Sequence, residues 1–168
     1  MPTSLTQPAE PLVTAAELLR EELPGPQRTR PRLVVGVDGS YGSGAALCWA
    51  ARQARERQAV LDIVTVWDEA AQPPPGRGRR GEGQLELARE RLERALAALA
   101  RERNLPKRVI TAPLHGLAGE QLVRRAAGAE LLVLGTSGIG SPEIPGAIGL
   151  YCLRHSNAPV VFVPAPPG

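Results

Sequence analysis

Aromatic residues are nearly missing from this chain: two Trp, two Tyr and one Phe make up 3% of 168 residues. A core without them must be aliphatic. No aromatic side chain interleaves with the arginines to stack bases, which disfavours nucleic acid as a partner. Cysteine is equally scarce. Cys48 and Cys152 stand too far apart for a metal-ligand spacing or a disulfide framework, and each falls in a helical pattern where a small buried thiol is expected. No apolar run approaches the roughly 20 residues that span a bilayer. The first residues lack the basic-then-apolar layout of a leader, so the expected compartment is the cytoplasm, with no membrane partner. No Gly-Lys-Ser/Thr triplet occurs, which removes a Walker loop, and no carboxylate pair is placed for acid–base work.

What remains is an ordinary globular composition, 43% hydrophobic and 22% charged, in a length that suits one domain. The formal charge of +3 is unevenly spread: residues 76–108 hold ten Lys or Arg against five Glu, a local +5. Half of that segment is helical in pattern with Glu interleaved, which reads as a solvated face.

Residues 1–31 read as an extension outside the core. Thr14 to Arg20 has the pattern of two amphipathic turns, with Thr14 as cap and Glu17 three residues later, before Pro24, Pro26 and Pro31 stop any helix. So short a helix is marginal alone, and it is expected either docked or unfolded. The core begins at Arg32. Leu33 to Val37 is a continuous apolar run of the kind covered on both faces, ending at Asp38-Gly39-Ser40. Ala45 to Arg57 reads as a helix with Ala46, Leu47, Ala50 and Ala54 inward. Val60 to Trp67 is a second strand, whose Asp62 and Thr65 predict less complete burial. After the breaker-rich stretch 72–83, Gln84 to Asn104 is the clearest helix, with Leu85, Ala88, Leu92, Leu96 and Leu99 on one face. Val109 to Ala112 is a short third strand, and Leu117 to Ala127 a helix with Leu117, Gln121, Leu122 and Ala126 inward. Leu131 to Leu134, Gly146 to His155 and Ala158 to Val163 add strand, helix and strand, and 165–168 form a tail. This alternation implies an α/β fold with a five-stranded parallel sheet and helices on both faces.

In such sheets ligands gather beyond the carboxyl ends of the strands, where the strand order reverses. Two features fall on that edge. Asp38 has two readings: it contacts a sugar hydroxyl or an amide, or it caps the next helix through Ser40 and Gly42. The run Gly135-Thr136-Ser137-Gly138-Ile139-Gly140, between a strand and a helix, is either a plain tight turn or an anion site. In the second reading, bare glycines let main-chain N–H groups approach a phosphate and the helix terminus adds about half a positive charge. His115 and His155 have no Ser or Cys arranged with them in a catalytic pattern, and His155 near a helix end reads as a dipole contact. Trp49 and Trp67 read as packing residues, Trp67 following Val66 at the pocket edge.

Four stretches, VVGVDGSYGSGAALCWAARQA, DIVTVW, LLVLGTSGIG and GAIGLYCLRHSNAPVVFV, resemble the universal stress proteins. With the connecting helices the resemblance covers about Arg32 to Pro164. It implies a Rossmann-like fold, a homodimer paired through the last strand (Ala158 to Val163), and an adenine nucleotide such as ATP or AMP as ligand. In the nucleotide-binding members, residues matching Gly36, Asp38 and Val66 surround the adenine and ribose, and a Gly-x-x-Gly loop followed by a second Gly with Ser or Thr holds the phosphates. Gly135 and Gly138 match the first pair, with Leu134 before them. Gly140, Gly146, Ala147 and Ile148 complete the expected backbone cradle.

This chain departs from the pattern in its second half. Gly146-Ala147-Ile148-Gly149 stands where nucleotide-binding members have Gly-Ser-Val-Ser, and the nine residues between the glycines are seven here, 139 to 145. A hydrogen bond to a charged acceptor contributes about 1.5–3 kcal/mol, so the missing hydroxyls weaken phosphate binding by about ten- to a hundredfold. Arg77, Arg79 and Arg80, in the loop after the second strand, either close on the phosphate as forks or stay solvated. Two functions follow: a regulatory module that binds an adenine nucleotide weakly to moderately, or a dimeric interaction protein that has lost it. Neither is an enzyme beyond slow ATP hydrolysis, since no residue is placed to activate water and no Mg²⁺ site is evident.

Overall fold

The computed structural model describes residues 30–68, 83–102, 105–136 and 145–165. Five parallel strands form one sheet: β1 (Arg32–Gly36), β2 (Val60–Trp67), β3 (Arg108–His115), β4 (Leu131–Gly135) and β5 (Val160–Val163), in the order β3-β2-β1-β4-β5. The connecting helices are α1 (Tyr41–Glu56), α2 (Gln84–Ala100), α3 (Ala118–Ala126) and α4 (Ala147–His155). The chain runs outward from β1 to β3 and then returns to place β4 on the other side of β1. The order therefore reverses between β1 and β4, and their carboxyl ends carry Gly36 to Asp38 and Gly135.

Both sides of the sheet are covered because the strand residues alternate between them. Leu33, Val35, Leu61, Ile63 and Val133 pack against Ala46, Leu47, Ala50 and Ala54 of α1 and Leu92, Ala95 and Leu99 of α2. Val34, Val64, Leu132 and Leu134 pack against Leu122 and Ala126 of α3 and Cys152 of α4. Small alanines on α1 let that helix lie close to the sheet, which suits a core with so few large side chains.

Several expectations need correction. Asp62 and Thr65 are both fully buried, so β2 is among the most enclosed strands and not a partly exposed one. Thr65 solves its burial by donating from Oγ1 to the Val37 carbonyl at 2.8 Å. Asp62 accepts from Arg32 Nη1 at 2.9 Å and, in a fork, from Arg125 Nε and Nη2 at 2.7 and 3.1 Å. Arg32 also donates to the Arg125 and Ala127 carbonyls, closing the carboxyl end of α3. β3 continues past Ala112 through Pro113 to His115. It is an edge strand, where a missing N–H costs little. α1 begins at Tyr41, four residues earlier than its apolar pattern, because Ser40 caps it by accepting from Ser43 N–H at 3.2 Å. In α2 the buried line uses Ala95, while Leu96 is exposed. Leu117 precedes α3 and is exposed. The Thr14 to Arg20 pattern lies outside the described residues. Among the described residues no helix is long and apolar enough to cross a membrane.

The two thiols differ. Cys152 is buried as expected, and burial pushes its pKa up to about 11, whereas Cys48 lies on the outer face of α1. A maleimide at neutral pH is expected to label Cys48 alone in the native protein and both cysteines in denaturant, read by mass. Two labels on the native chain would contradict the packing of α4 against α3.

Candidate functional site

A cavity of about 260 Å³ opens at the reversal point between β1 and β4. Of the residues singled out from sequence, Gly36, Asp38, Val66, Leu134, Gly135, Gly146, Ala147 and Ile148 all line it. Gly138 and Gly140 lie outside the described residues, as do Arg77, Arg79 and Arg80. The sequence reading missed Ser40 and Ser43 from the turn after β1, Ala118 and Leu122 from α3, and Gly149 from α4. Ser40 and Ser43 were readable as neighbours of Asp38. Ala118 and Leu122 carried no local signal, because they reach the site only through tertiary packing.

The floor is apolar and depends on a glycine. A Cβ on Gly36 would stand 2.9 Å from Leu134 Cδ2 and 3.2 Å from Leu122 Cδ2, so hydrogen at this position lets the two leucines meet over the end of β1. With Val66 and Ile148 they offer a slot for a flat, weakly polar ring.

Asp38 stands at the rim, just beyond β1 and exposed. Its Oδ1 accepts from the Ser40 N–H at 2.9 Å, and its own N–H donates to Ser43 Oγ at 3.4 Å. Burial pushes its carboxyl up, but hydrogen bonds from the Ser40 side chain and backbone, and from Ser43, outweigh it and leave the pKa below the ordinary value. The sign follows: this ionised form stabilises the turn fully above the ordinary carboxylate range, and that contribution is lost as pH falls through the lowered native value. At neutral pH Asp38 is therefore an acceptor. The carboxylate is exposed and keeps acceptor capacity for a hydroxyl beside the Ser40 N–H on Oδ1. The two sequence readings of Asp38 are thus compatible: Ser40 is the cap of α1, and Asp38 holds Ser40 while facing the cavity.

The opposite rim is the amino end of α4. Gly146 precedes it in extended conformation, with no side chain among the described residues capping the first N–H groups and no acidic residue in the first turn. Such an end attracts an anion. Gly149 is bare for a packing reason: a Cβ there would meet Phe162 Cε1 at 2.8 Å and Pro145 Cβ at 3.0 Å. A side chain at 149 would have to displace the Phe162 ring, whereas Ala147 is exposed and free to change.

Between the two rims, β4 and α1 touch backbone to backbone. A Cβ on Gly135 would fall inside the Gly42 carbonyl and 2.7 Å from Ser43 N, and a Cβ on Gly42 would lie 2.5 Å from the Thr136 carbonyl oxygen. This contact fixes the start of the glycine loop against the Asp38–Ser43 turn. Thr136 is buried there, and its Oγ1 has no hydrogen-bond partner among the described residues.

Other candidates sit apart. Trp67 packs its ring on His115 at 4.4 Å and does not line the cavity, and Trp49 packs on the core. His155 ends α4, with Nδ1 at 2.9 Å from the Tyr151 carbonyl and its ring stacked on Tyr151 at 4.2 Å. Among the described residues no group of three or more His, Cys, Asp or Glu is placed to hold a metal ion.

Comparison with known proteins agrees with this fold. The profile of the universal stress protein family matches residues 29–164. Two universal stress proteins of Mycobacterium tuberculosis are 29% identical over 159 residues and 30% identical over 149 residues, covering 84% and 81% of this chain and 50% and 48% of theirs. The chain thus spans about half the length of the curated relatives it matches. Among solved structures, a universal stress protein in complex with cAMP aligns with a TM-score of 0.57 at 27% identity, covering 81% of this chain and 98% of that one. A family member from Burkholderia pseudomallei aligns with a TM-score of 0.62 at 27% identity, covering 83% and 100%. The Archaeoglobus fulgidus protein in complex with dAMP shares the fold, with a TM-score of 0.59 at 22% identity over 80% and 97%.

Proposed function

The chain belongs to the universal stress protein family, and on that premise we propose that it is a regulatory module binding an adenine nucleotide of the monophosphate class at the β1–β4 edge. One observation carries the reading. An exposed carboxylate, an apolar slot and a helix end with no side-chain cap among the described residues converge on one cavity, with Asp38, Leu134 and Ala147 on its walls. The slot takes the base, Asp38 Oδ2 accepts from a ribose hydroxyl, and the α4 terminus with the Gly135 loop takes a phosphate. A structural neighbour 27% identical is a complex with cAMP, which supports a ligand of this size. The missing hydroxyls at 147 and 149 argue against strong selection for further phosphates. Hydrolysis would be slow at most, because Asp38, the carboxylate lining the cavity, is placed for the ribose.

Asp38→Ala is expected to weaken AMP binding by about ten- to a hundredfold, the loss of one hydrogen bond to a charged acceptor. Ala147→Ser is expected to strengthen it by about three- to tenfold and to leave adenosine unchanged. Calorimetric titration of both variants checks this, and unchanged AMP affinity in Asp38→Ala would remove Asp38 from the site.

The output of binding is carried by the assembly. β5 is an edge strand whose outer N–H and C=O groups face no strand among the described residues, and Leu150 and Leu153 of α4 are exposed. A second copy pairing along Ala158 to Val163 satisfies that edge and covers the leucines. Because α4 also lines the cavity, a ligand there and a partner on β5 press on the same helix.

A further inference from the structure

We propose that the segment preceding the fold, residues 10–23, docks in cis as an amphipathic helix in a groove between β3 and α3. The groove is a second cavity of about 540 Å³, lined by Ile110 and Leu114 of β3 on one side and Gln121, Arg124 and Arg125 of α3 on the other. α3 packs over β2, β1 and β4, so this side of β3 lies beside the helix and not beneath it. Ile110 and Leu114 are consequently only half-buried. The ionic floor offers no unmatched charge, because Asp62 takes bonds from both Arg32 and Arg125. The unmatched cation is Arg124 on the rim, exposed and without an ion-pair partner among the described residues. An apolar wall under a basic rim suits an acidic amphipathic segment, and fits a small polar ligand poorly.

The chain carries such a segment next to the groove. Leu12, Ala15, Ala16, Leu19 and Leu23 recur at three- and four-residue spacing, with Glu10, Glu17, Glu21 and Glu22 around them against a single Arg20. Glu22 flanks the apolar stripe, where it meets the rim. As a helix, residues 10–23 are about 21 Å long, shorter than the roughly 26 Å of an eight-residue strand such as β3. The chain emerges at the right place: Pro31 is held at the start of β2 by the Val60 N–H at 2.8 Å, and Arg32 forms part of the groove floor. Eight residues, 24–31, separate Leu23 from Arg32, and the nine steps between them reach up to about 30 Å. So short a tether gives an effective concentration of about millimolar, enough for a weak contact to be made in cis.

The test places a benzophenone amino acid at Leu19 in the full chain and maps the photo-crosslink by mass spectrometry. The expected product is one chain linked to itself at β3 or α3, around Ile110, Leu114 or Gln121. Arg124→Glu is expected to lower its yield about fivefold, and Glu22→Arg in the same chain to restore it. Crosslinks to α4, crosslinks joining two chains, no crosslink, or a yield indifferent to the charge reversals would each overturn the proposal.

Discussion

Gly135→Ala is expected to lower the melting temperature by about 10 °C or more, or to prevent folding. The reason is a backbone contact with nowhere to go. The new methyl would fall inside the Gly42 carbonyl and 2.7 Å from Ser43 N, and neither can swing away as a side chain does. Relief requires β4 to separate from the amino end of α1, which opens the core beneath Val133. That cost is about 3 kcal/mol or more, and each kcal/mol shifts a chain of this size by roughly 2–4 °C. Gly42→Ala presses on the same contact from the other side, 2.5 Å from the Thr136 oxygen, and is expected to fail in the same way. Gly44 is the control. It lies in α1, a Cβ there meets nothing within 4 Å, and Gly44→Ala is expected to stabilise by about 0.5–1 kcal/mol through helix propensity. If Gly135→Ala melts with the parent protein, the close approach that shapes the cavity is wrong.

The second large effect belongs to Asp62. Its carboxylate is fully buried and balances two guanidinium groups, Arg32 and Arg125, which keep 25% and 33% of their side chains exposed. Asp62→Ala leaves both cations facing one another with little water, and breaking a buried pair in this way costs about 3–5 kcal/mol. The partial exposure of the arginines places the expectation near the lower end, about 3 kcal/mol, measured by urea denaturation. Losing the carboxylate also frees Arg32 from its post beside the Arg125 and Ala127 carbonyls, so the carboxyl end of α3 loosens with it. Replacing all three residues by apolar ones of similar size, Asp62→Leu with Arg32→Met and Arg125→Met, is expected to recover most of the loss, because no charge is then stranded. A single Asp62→Ala variant as stable as the parent would mean that water already solvates this triad.

These two sites show what a linear reading can and cannot reach. The strands were legible because aliphatic, largely β-branched runs covered on both faces leave a continuous apolar signature, and Leu33 to Val37 and Leu131 to Leu134 carried it. The exposure of Cys48 overturns its expected burial: the buried phase of its helix, Ala46, Leu47, Ala50 and Ala54, turns residue 48 outward. The burial of Asp62 was not legible. A charged residue in a strand reads as an outward one until its partners are known, and those partners stand 30 and 63 residues away. Pro113 hid the length of β3 for a similar reason: proline stops a central strand, and only the strand order shows that β3 lies at an edge. At the cavity, Asp38 and the Gly135 loop could be read from their place after strands. Leu122 could not, because it arrives with α3 across the sheet. Gly149 was read as a lost hydroxyl, and the structure adds its cause in Phe162 and Pro145.

We propose that this cavity holds an adenine monophosphate despite its shortened, hydroxyl-poor phosphate loop. Calorimetric titration of the full chain, stripped of bound nucleotide, with AMP, ATP and adenosine tests it most directly. Saturable AMP binding is expected at one per chain, with ATP within about threefold of AMP, less than about 0.7 kcal/mol apart. No heat at millimolar AMP would contradict it and leave a dimeric interaction protein that has given up its nucleotide.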